Sequence, residues 1–191
     1  MDCYVLVGGL SRRMGVPKAS IELGGLTFLA RVVTAASGAF DRVVAVERAD
    51  GIPVAGVTTI YETPHPDQAP IFGLARALSA ASDKCFVLAL DYPLLTAATL
   101  RELRARFEAS PAPMLVPLHR GIPQTLCAGY SPAMREMIDG KIASKRYDLR
   151  SLVELAEFVP VEGDEWLNVN TPGELEEARR RHDHEGLLPS R

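Results

Sequence analysis

The eleven residues Gly8-Gly9-Leu10-Ser11-Arg12-Arg13-Met14-Gly15-Val16-Pro17-Lys18 combine three glycines with a hydroxyl and several cations. Glycine lets backbone N–H groups turn together toward an anion. Basic side chains such as Arg13 and Lys18 then neutralise charge that the amide dipoles cannot. The chemistry this suits is phosphate binding. The spacing is neither G-x-x-x-x-G-K-[ST] nor G-x-G-x-x-G, so an ATPase loop and a dinucleotide fingerprint are both excluded. Taken alone, the loop is equally well read as a polar turn with solvated charges.

A second candidate is Asp91, which follows the apolar run 85–90 and precedes Pro93, a residue that stops a strand. A carboxylate is thereby held at a strand end, where it faces a pocket or caps the helix that begins near Thr96. Asn168 and Asn170 come just before Thr171-Pro172, where asparagine is also ordinary turn chemistry. His65, His119, His182 and His184 show neither catalytic pairing nor metal spacing. Cys85 reads as a buried strand residue, and Trp166 as packing beneath the Asn168 loop.

These residues need a scaffold. Residues 4–7 form an apolar run that empties into the glycine loop, and residues 43–46 and 57–61 are strand-like, as are 85–90. Between them, Leu29, Val32, Val33 and Ala36 share a helical face, as do Ile71, Leu74 and Leu78, and then Leu100, Leu103 and Phe107. Such alternation predicts a largely parallel sheet covered on both faces, with ligands gathering at the strands' carboxyl ends. Residues 114–118 and 125–130 predict two more strands, and 131–138 a short helix. The last helix opens with Thr171-Pro172-Gly173-Glu174, an N-cap, a first-turn proline and a capping-box glutamate, and is expected to stop at Gly186. One domain over residues 1–186 and a tail over 187–191 are expected.

The chain has 191 residues, 47% hydrophobic and 24% charged, which suits a globular protein. With 21 basic and 24 acidic side chains the net charge is −3, so no general basic field attracts nucleic acid, and an anionic ligand must be caught locally. Only Cys3, Cys85 and Cys127 carry thiols, which excludes a disulfide framework and points to the cytoplasm. No apolar stretch is long enough to cross a bilayer, so no membrane role is expected.

Residues 6–18 resemble the L-x-G-G-x-S-x-R-M-G-x-x-K signature of nucleotidyltransferases, in particular the MobA-like molybdenum cofactor guanylyltransferase family. Further matches follow in order: Ala69-Pro70-Ile71-Phe72-Gly73-Leu74 resembles its G-P-L-x-G-L segment, Leu90-Asp91-Tyr92-Pro93 its D-x-P, and Asn168-Val169-Asn170-Thr171-Pro172 its N-x-N-T-P. The resemblance spans most of the chain. It implies a three-layer, Rossmann-like α/β fold with a mostly parallel central sheet.

It also implies transfer of GMP from GTP to the phosphate of molybdopterin carrying molybdenum, with pyrophosphate released and Mg2+ required. On this reading Leu6, Val7, Gly8, Gly9, Ser11, Lys18, Asp67 and Asp91 bind the nucleotide. Lys18 meets the transferring phosphate, Arg13 the departing pyrophosphate, and Asp91 with Asn170 holds the metal. A phosphate monoester is already anionic, so such a reaction needs alignment and charge neutralisation more than a strong base. The segment 121–126 is similar to the one facing the acceptor, and Lys141, Lys145 and Arg146 either grip that acceptor or form a solvated loop. Transient contact with cofactor-assembly proteins or apo-molybdoenzymes fits the same resemblance.

The chain departs from the pattern at Ala69, where glycine is common, and at Glu47, where Asn or Ser is common. Gly8-Gly9 resembles the guanylyl branch, whereas Pro17 before Lys18 resembles the cytidylyl branch, which uses CTP. A sugar 1-phosphate nucleotidyltransferase and a non-catalytic nucleotide-binding module for cofactor delivery are the remaining alternatives.

Overall fold

The computed structural model describes residues 1–8, 14–51 and 53–185. The first strand, β1 (Asp2–Leu6), is buried through Cys3, Tyr4 and Val5 because parallel strands lie on both its sides. A small antiparallel pair, β2 (Glu22–Leu23) and β3 (Leu26–Thr27), leads into α1 (Phe28–Ser37). That helix begins where Thr27 Oγ1 accepts from Ala30 N at 3.1 Å, satisfying one of its orphan donors. Next come β4 (Arg42–Glu47), β5 (Thr58–Tyr61), α2 (Pro70–Ala80), β6 (Cys85–Ala89) and α3 (Ala97–Ala109).

The remaining elements are β7 (Met114–His119), β8 (Ile122–Pro123), β9 (Cys127–Tyr130), α4 (Arg135–Ala143), β10 (Ala156–Val161) and α5 (Pro172–Glu185). The main sheet runs β10-β7-β9-β6-β1-β4-β5, with β8 pairing off β7. Its centre is parallel, as are β7 and β10, while β9 runs antiparallel between β6 and β7. This is the mixed, mostly parallel α/β sheet that the alternating pattern predicts.

Two apolar layers clothe it. On one face Val32 and Ala36 of α1 join Leu100, Leu103 and Phe107 of α3 against Cys3, Val5 and Phe86. On the other, Ile71, Leu74 and Leu78 of α2 and Ile138 of α4 pack on Tyr4, Val44 and Val87. With helices on both faces, the carboxyl ends of the strands are where polar groups can converge on a ligand.

Packing on the α3 side is tight at Gly129 of β9, where an added Cβ would lie 2.3 Å from the Phe107 ring. Gly129→Ala is expected to destabilise the protein by about 1–3 kcal/mol through overpacking. A denaturant melt checks this; an unchanged midpoint would contradict the contact.

Register decides which residues meet. Leu6 lies opposite both Val46 and Ala89, and Glu47 lies opposite Tyr61. The carboxyl ends of β1, β4, β5 and β6 are therefore aligned. Gly8, Arg48, Glu62 and Asp91 all leave the sheet at the same edge within two residues of their strands. The chain also steps from β4 and β5 on one side of β1 to β6 on the other, which opens a crevice above β1.

Candidate functional site

Lys18 is the focus of this edge. Its side chain is only 10% exposed, and its Nζ donates to Asp91 Oδ1 at 2.8 Å and to Asn170 Oδ1 at 2.7 Å. Three distant segments thus meet at one ammonium. A short 3-10 turn, Lys18–Ser20, turns the lysine inward, closed by Ser20 N on the Pro17 carbonyl at 3.1 Å. Asp91 is not a helix cap, because Thr96 fills that role for α3 by accepting from Thr99 N at 3.2 Å.

The Asn170 side is equally fixed. Val169 N donates to the Asp91 carbonyl at 2.8 Å, binding the asparagine loop to the strand-end turn. Glu174 Oε2 accepts from Asn170 N at 2.7 Å, and Glu174 N donates to Thr171 Oγ1 at 3.3 Å. The cap predicted for α5 is present, with its glutamate reaching one residue further back than in the usual box. Asn170 Nδ2 donates to Asn168 Oδ1, which leaves Asn170 Oδ1 pointing at Lys18. Trp166 is buried and lies edge-on to Tyr92. Tyr92 OH donates to Gln124 Oε1 at 2.7 Å, so the β8–β9 connection is tied to the residue after Asp91.

A cavity of about 530 Å³ opens on the β5 side of the same edge. Gly8, Arg48, Asp50, Glu62, His65 and Asp67 are among the residues that line it. Gly8 belongs here for a steric reason: a Cβ would come 2.6 Å from Arg48 Cγ and 3.0 Å from its backbone N. Asp67 accepts from Tyr147 OH at 2.8 Å, which pushes the phenol's pKa up. His65 stacks on Phe72 with centroids 4.2 Å apart. Because β1 lies between β4 and β6, Gly8 stands between this cavity and the Lys18 cluster.

The predicted site residues therefore fall into groups. Lys18, Asp91 and Asn170 converge; Gly8 and Asp67 line the neighbouring cavity. Val7 is buried, its N–H donating to the Val46 carbonyl at 2.9 Å, and Leu6 packs against Gly73. Gly9, Ser11 and Arg13 lie outside the described residues, as do Gly186 and the expected tail. One expectation is corrected. Lys141 is buried and donates to Asp148 at 2.9 Å and Ser151 at 2.6 Å, holding Asp148 down at a pKa of about 2, so it anchors its own loop. Lys145 and Arg146 remain exposed.

The reading from sequence missed Glu62, although a signal existed. Glu62-Thr63-Pro64 repeats the pattern of Asp91-Tyr92-Pro93, a carboxylate just past a strand with proline two residues later. Glu62 is half-buried, and desolvation raises its pKa from 4.5 to about 7, opposed by Arg48 and reinforced by Glu47 and Asp50. Such a raised carboxyl binds its proton more readily folded than unfolded, so it costs stability as pH climbs from about 4.5 through 7. Glu62→Gln is expected to stabilise the protein by about 1 kcal/mol at pH 8, after allowance for solvent screening, and hardly at all at pH 4. Melting curves at the two pH values check the sign.

Asp91 and Asn170 offer hard oxygen donors that already face a cation, the Lys18 ammonium. No group of three His, Cys, Asp or Glu side chains suited to a metal occurs among the described residues. The donor set therefore fits a hydrated magnesium-type ion that completes its shell with ligand phosphates, and not an ion caged by protein alone.

The Lys18–Asp91–Asn170 cluster and the cavity both lie at the carboxyl edge of parallel strands, where an open α/β sheet binds its ligand. Residues 3–160 match the MobA-like NTP transferase domain, and the chain belongs to that family. An Aquifex aeolicus protein named "Probable molybdenum cofactor guanylyltransferase" is 30% identical, with 95% of this chain and 92% of that one covered. The crystal structure of molybdopterin-guanine dinucleotide biosynthesis protein A from Archaeoglobus fulgidus superimposes with a TM-score of 0.82 at 25% identity, covering 96% of this chain and all of that one. A Mycobacterium tuberculosis protein solved in complex with manganese shares the fold, with a TM-score of 0.68 at 17% identity over 94% of this chain and 97% of that one.

Proposed function

We propose that the chain transfers GMP from GTP to the terminal phosphate of molybdopterin carrying molybdenum. The observation that carries this reading is the Lys18–Asp91–Asn170 cluster beside the Gly8 cavity, taken with what the Aquifex aeolicus and Archaeoglobus fulgidus relatives are named for. An acceptor phosphate oxygen attacks the α-phosphorus of GTP and forms the new anhydride bond. The bond between the α-phosphorus and its bridging oxygen breaks, and pyrophosphate leaves with the electron pair. An acceptor that is already anionic requires no strong general base.

The chain's own groups handle charge and position. Lys18 donates to the α-phosphate, where negative charge must be shielded while the two phosphates approach. As phosphate engages the ammonium, Asp91 Oδ1 and Asn170 Oδ1 give up their present donor and become free to ligate. A magnesium ion held there supplies further neutralisation of the phosphate oxygens. The manganese bound by the Mycobacterium tuberculosis structure supports a divalent requirement. Gly8, Asp67 and the cavity receive the nucleoside, while Gly9, Ser11 and Arg13 serve the polyphosphate. The turn carrying Gln124 faces the acceptor.

We also place the reaction in the cytoplasm, a reading supported by three unpaired, buried thiols. No helix among the described residues is long and apolar enough to cross a membrane.

One sequence feature, Pro17 before Lys18, favours CTP instead. The test is incubation with molybdenum-loaded molybdopterin, Mg2+ and each NTP in turn, with the product identified by mass. A guanine dinucleotide formed with one pyrophosphate per turnover supports the proposal. A cytosine dinucleotide moves the chain to the cytidylyl branch, and nucleotide binding without any product supports a delivery module.

A further inference from the structure

A third apolar cluster lies apart from the two layers that clothe the sheet. Ile21, Leu23, Phe28, Leu94, Val169 and Ala178 are buried together in it, with Leu175 packed against them. Three of these residues flank the site. Ile21 follows Lys18 by three residues, Leu94 follows Asp91 by three, and Val169 immediately precedes Asn170. Backbone bonds tie the same segments down: Ile21 N donates to the Lys18 carbonyl at 3.2 Å, and Val169 N to the Asp91 carbonyl at 2.8 Å. Leu175, Ala178 and His182 recur at helical spacing, so one face of α5 runs from this cluster to the β2–β3 turn. At that turn Gly24 has a φ of +59°, and a Cβ there would lie 1.9 Å from His182 Nε2. Glycine is what lets the ring sit down. Arg31 completes the clasp, its Nη2 donating to His182 Nε2 at 2.9 Å and its Nε to the Leu23 carbonyl at 2.7 Å.

Resting on the reading of Lys18 and Asp91 as the phosphate-transfer site, we infer that Val169 and His182 are positioning residues for that reaction. The cluster and the α5 clasp hold the lysine turn, the strand-end turn and the asparagine loop in one register, which sets the reach of Lys18 to the reacting phosphate. Both residues act through the segments they pin. Transfer demands close alignment, and a misplacement of about 1 Å caused far from the chemistry costs about 100-fold in rate. A close-packed interior transmits such shifts. Truncating Val169 leaves a void between the segments that carry Asp91 and Asn170 and the one that carries Lys18, and the neighbours relax into it. Removing the His182 ring unseats the β2–β3 turn from α5. Leu78 of α2 is the contrast, because it packs in the sheet layer with Tyr4 and Val87, near the end of α2 remote from the site edge.

The test compares the full chain with Val169→Ala, His182→Ala and Leu78→Ala, each assayed below its melting midpoint with molybdenum-loaded molybdopterin and with GTP and CTP as alternative donors. Three quantities are read: kcat, the KM for the nucleotide, and the Mg2+ concentration for half-maximal rate. Val169→Ala is expected to lower kcat about 10- to 100-fold and His182→Ala about 3- to 10-fold, with nucleotide KM changed less than about 3-fold and the Mg2+ midpoint raised in both. Leu78→Ala is expected to lose at least as much stability as either and to keep its kcat. His182 is partly exposed, so its truncation leaves the chain folded and decides the matter should Val169→Ala fail to fold. Wild-type turnover together with variants that keep kcat, or lose no more of it than Leu78→Ala does, would overturn the positioning roles and leave the transfer reading standing. Absence of turnover by the wild-type chain with either donor would overturn the transfer reading and this inference with it.

Discussion

Lys18→Ala is expected to lower turnover about 100- to 1,000-fold, the size typical of losing one charged donor aimed at developing negative charge. The effect on folding should be far smaller. The partner Asp91 retains 24% side-chain exposure, so water can resolvate the carboxylate. A loss of about 1 kcal/mol or less is expected in a denaturant melt, the scale of a partly exposed ion pair. Lys18→Arg separates charge from shape. A guanidinium keeps the charge but cannot reproduce one ammonium reaching Asp91 and Asn170 at 2.8 and 2.7 Å, so activity should recover only in part. Full turnover by Lys18→Ala with an unchanged melting temperature would remove the lysine from the chemistry.

Asp91→Asn is the second large effect. The substitution keeps the size of the side chain and removes the one carboxylate in contact with Lys18 among the described residues. Turnover is expected to fall about 100- to 1,000-fold, and the Mg2+ concentration for half-maximal rate to rise, because a neutral amide oxygen is a weaker ligand for a hard cation. Lys18 would still be anchored by Asn170 Oδ1. Nucleotide affinity in the absence of divalent ions should therefore change by much less than the rate. If Asp91→Asn left the Mg2+ dependence of the rate unaltered, Asp91 would be a spacer for Lys18 and not a metal ligand.

Much of the scaffold was legible in the sequence because its physical signals are local. The apolar run into the glycine loop, the helical spacing of Ile71, Leu74 and Leu78, and the Thr171-Pro172-Gly173-Glu174 cap each report on a few neighbouring residues, and each is present. The short pieces escaped. β8 has two residues, and β10 shows only Val159 fully buried, because an edge strand carries little alternation to detect. Residues 125 and 126 were expected to continue the strand that begins at Cys127, but Cys127 N turns back to the Gln124 carbonyl at 3.0 Å.

The candidate site divides in the same way. Lys18, Asp91 and Asn170 were legible as individuals, through the motif matches, yet their convergence on one ammonium depends on strand order and register, which no local pattern encodes. Lys141 looked like a free cation because sequence does not reveal that Asp148 and Ser151 fold back on it. Glu62 was passed over although Glu62-Thr63-Pro64 repeats the Asp91-Tyr92-Pro93 pattern, because its half-burial beside Gly73 of α2 depends on tertiary packing that no local pattern encodes.

The central claim is that Lys18 and Asp91 act on the same phosphorus. A crystal structure of the chain with a non-hydrolysable GTP analogue and Mg2+ tests it most directly. The expected result is an α-phosphate oxygen within hydrogen-bond distance of Lys18 Nζ, Mg2+ held at Asp91, and the base in the cavity lined by Gly8 and Asp67. A nucleotide seated elsewhere, with Lys18 still closed on Asp91 and Asn170, would contradict it.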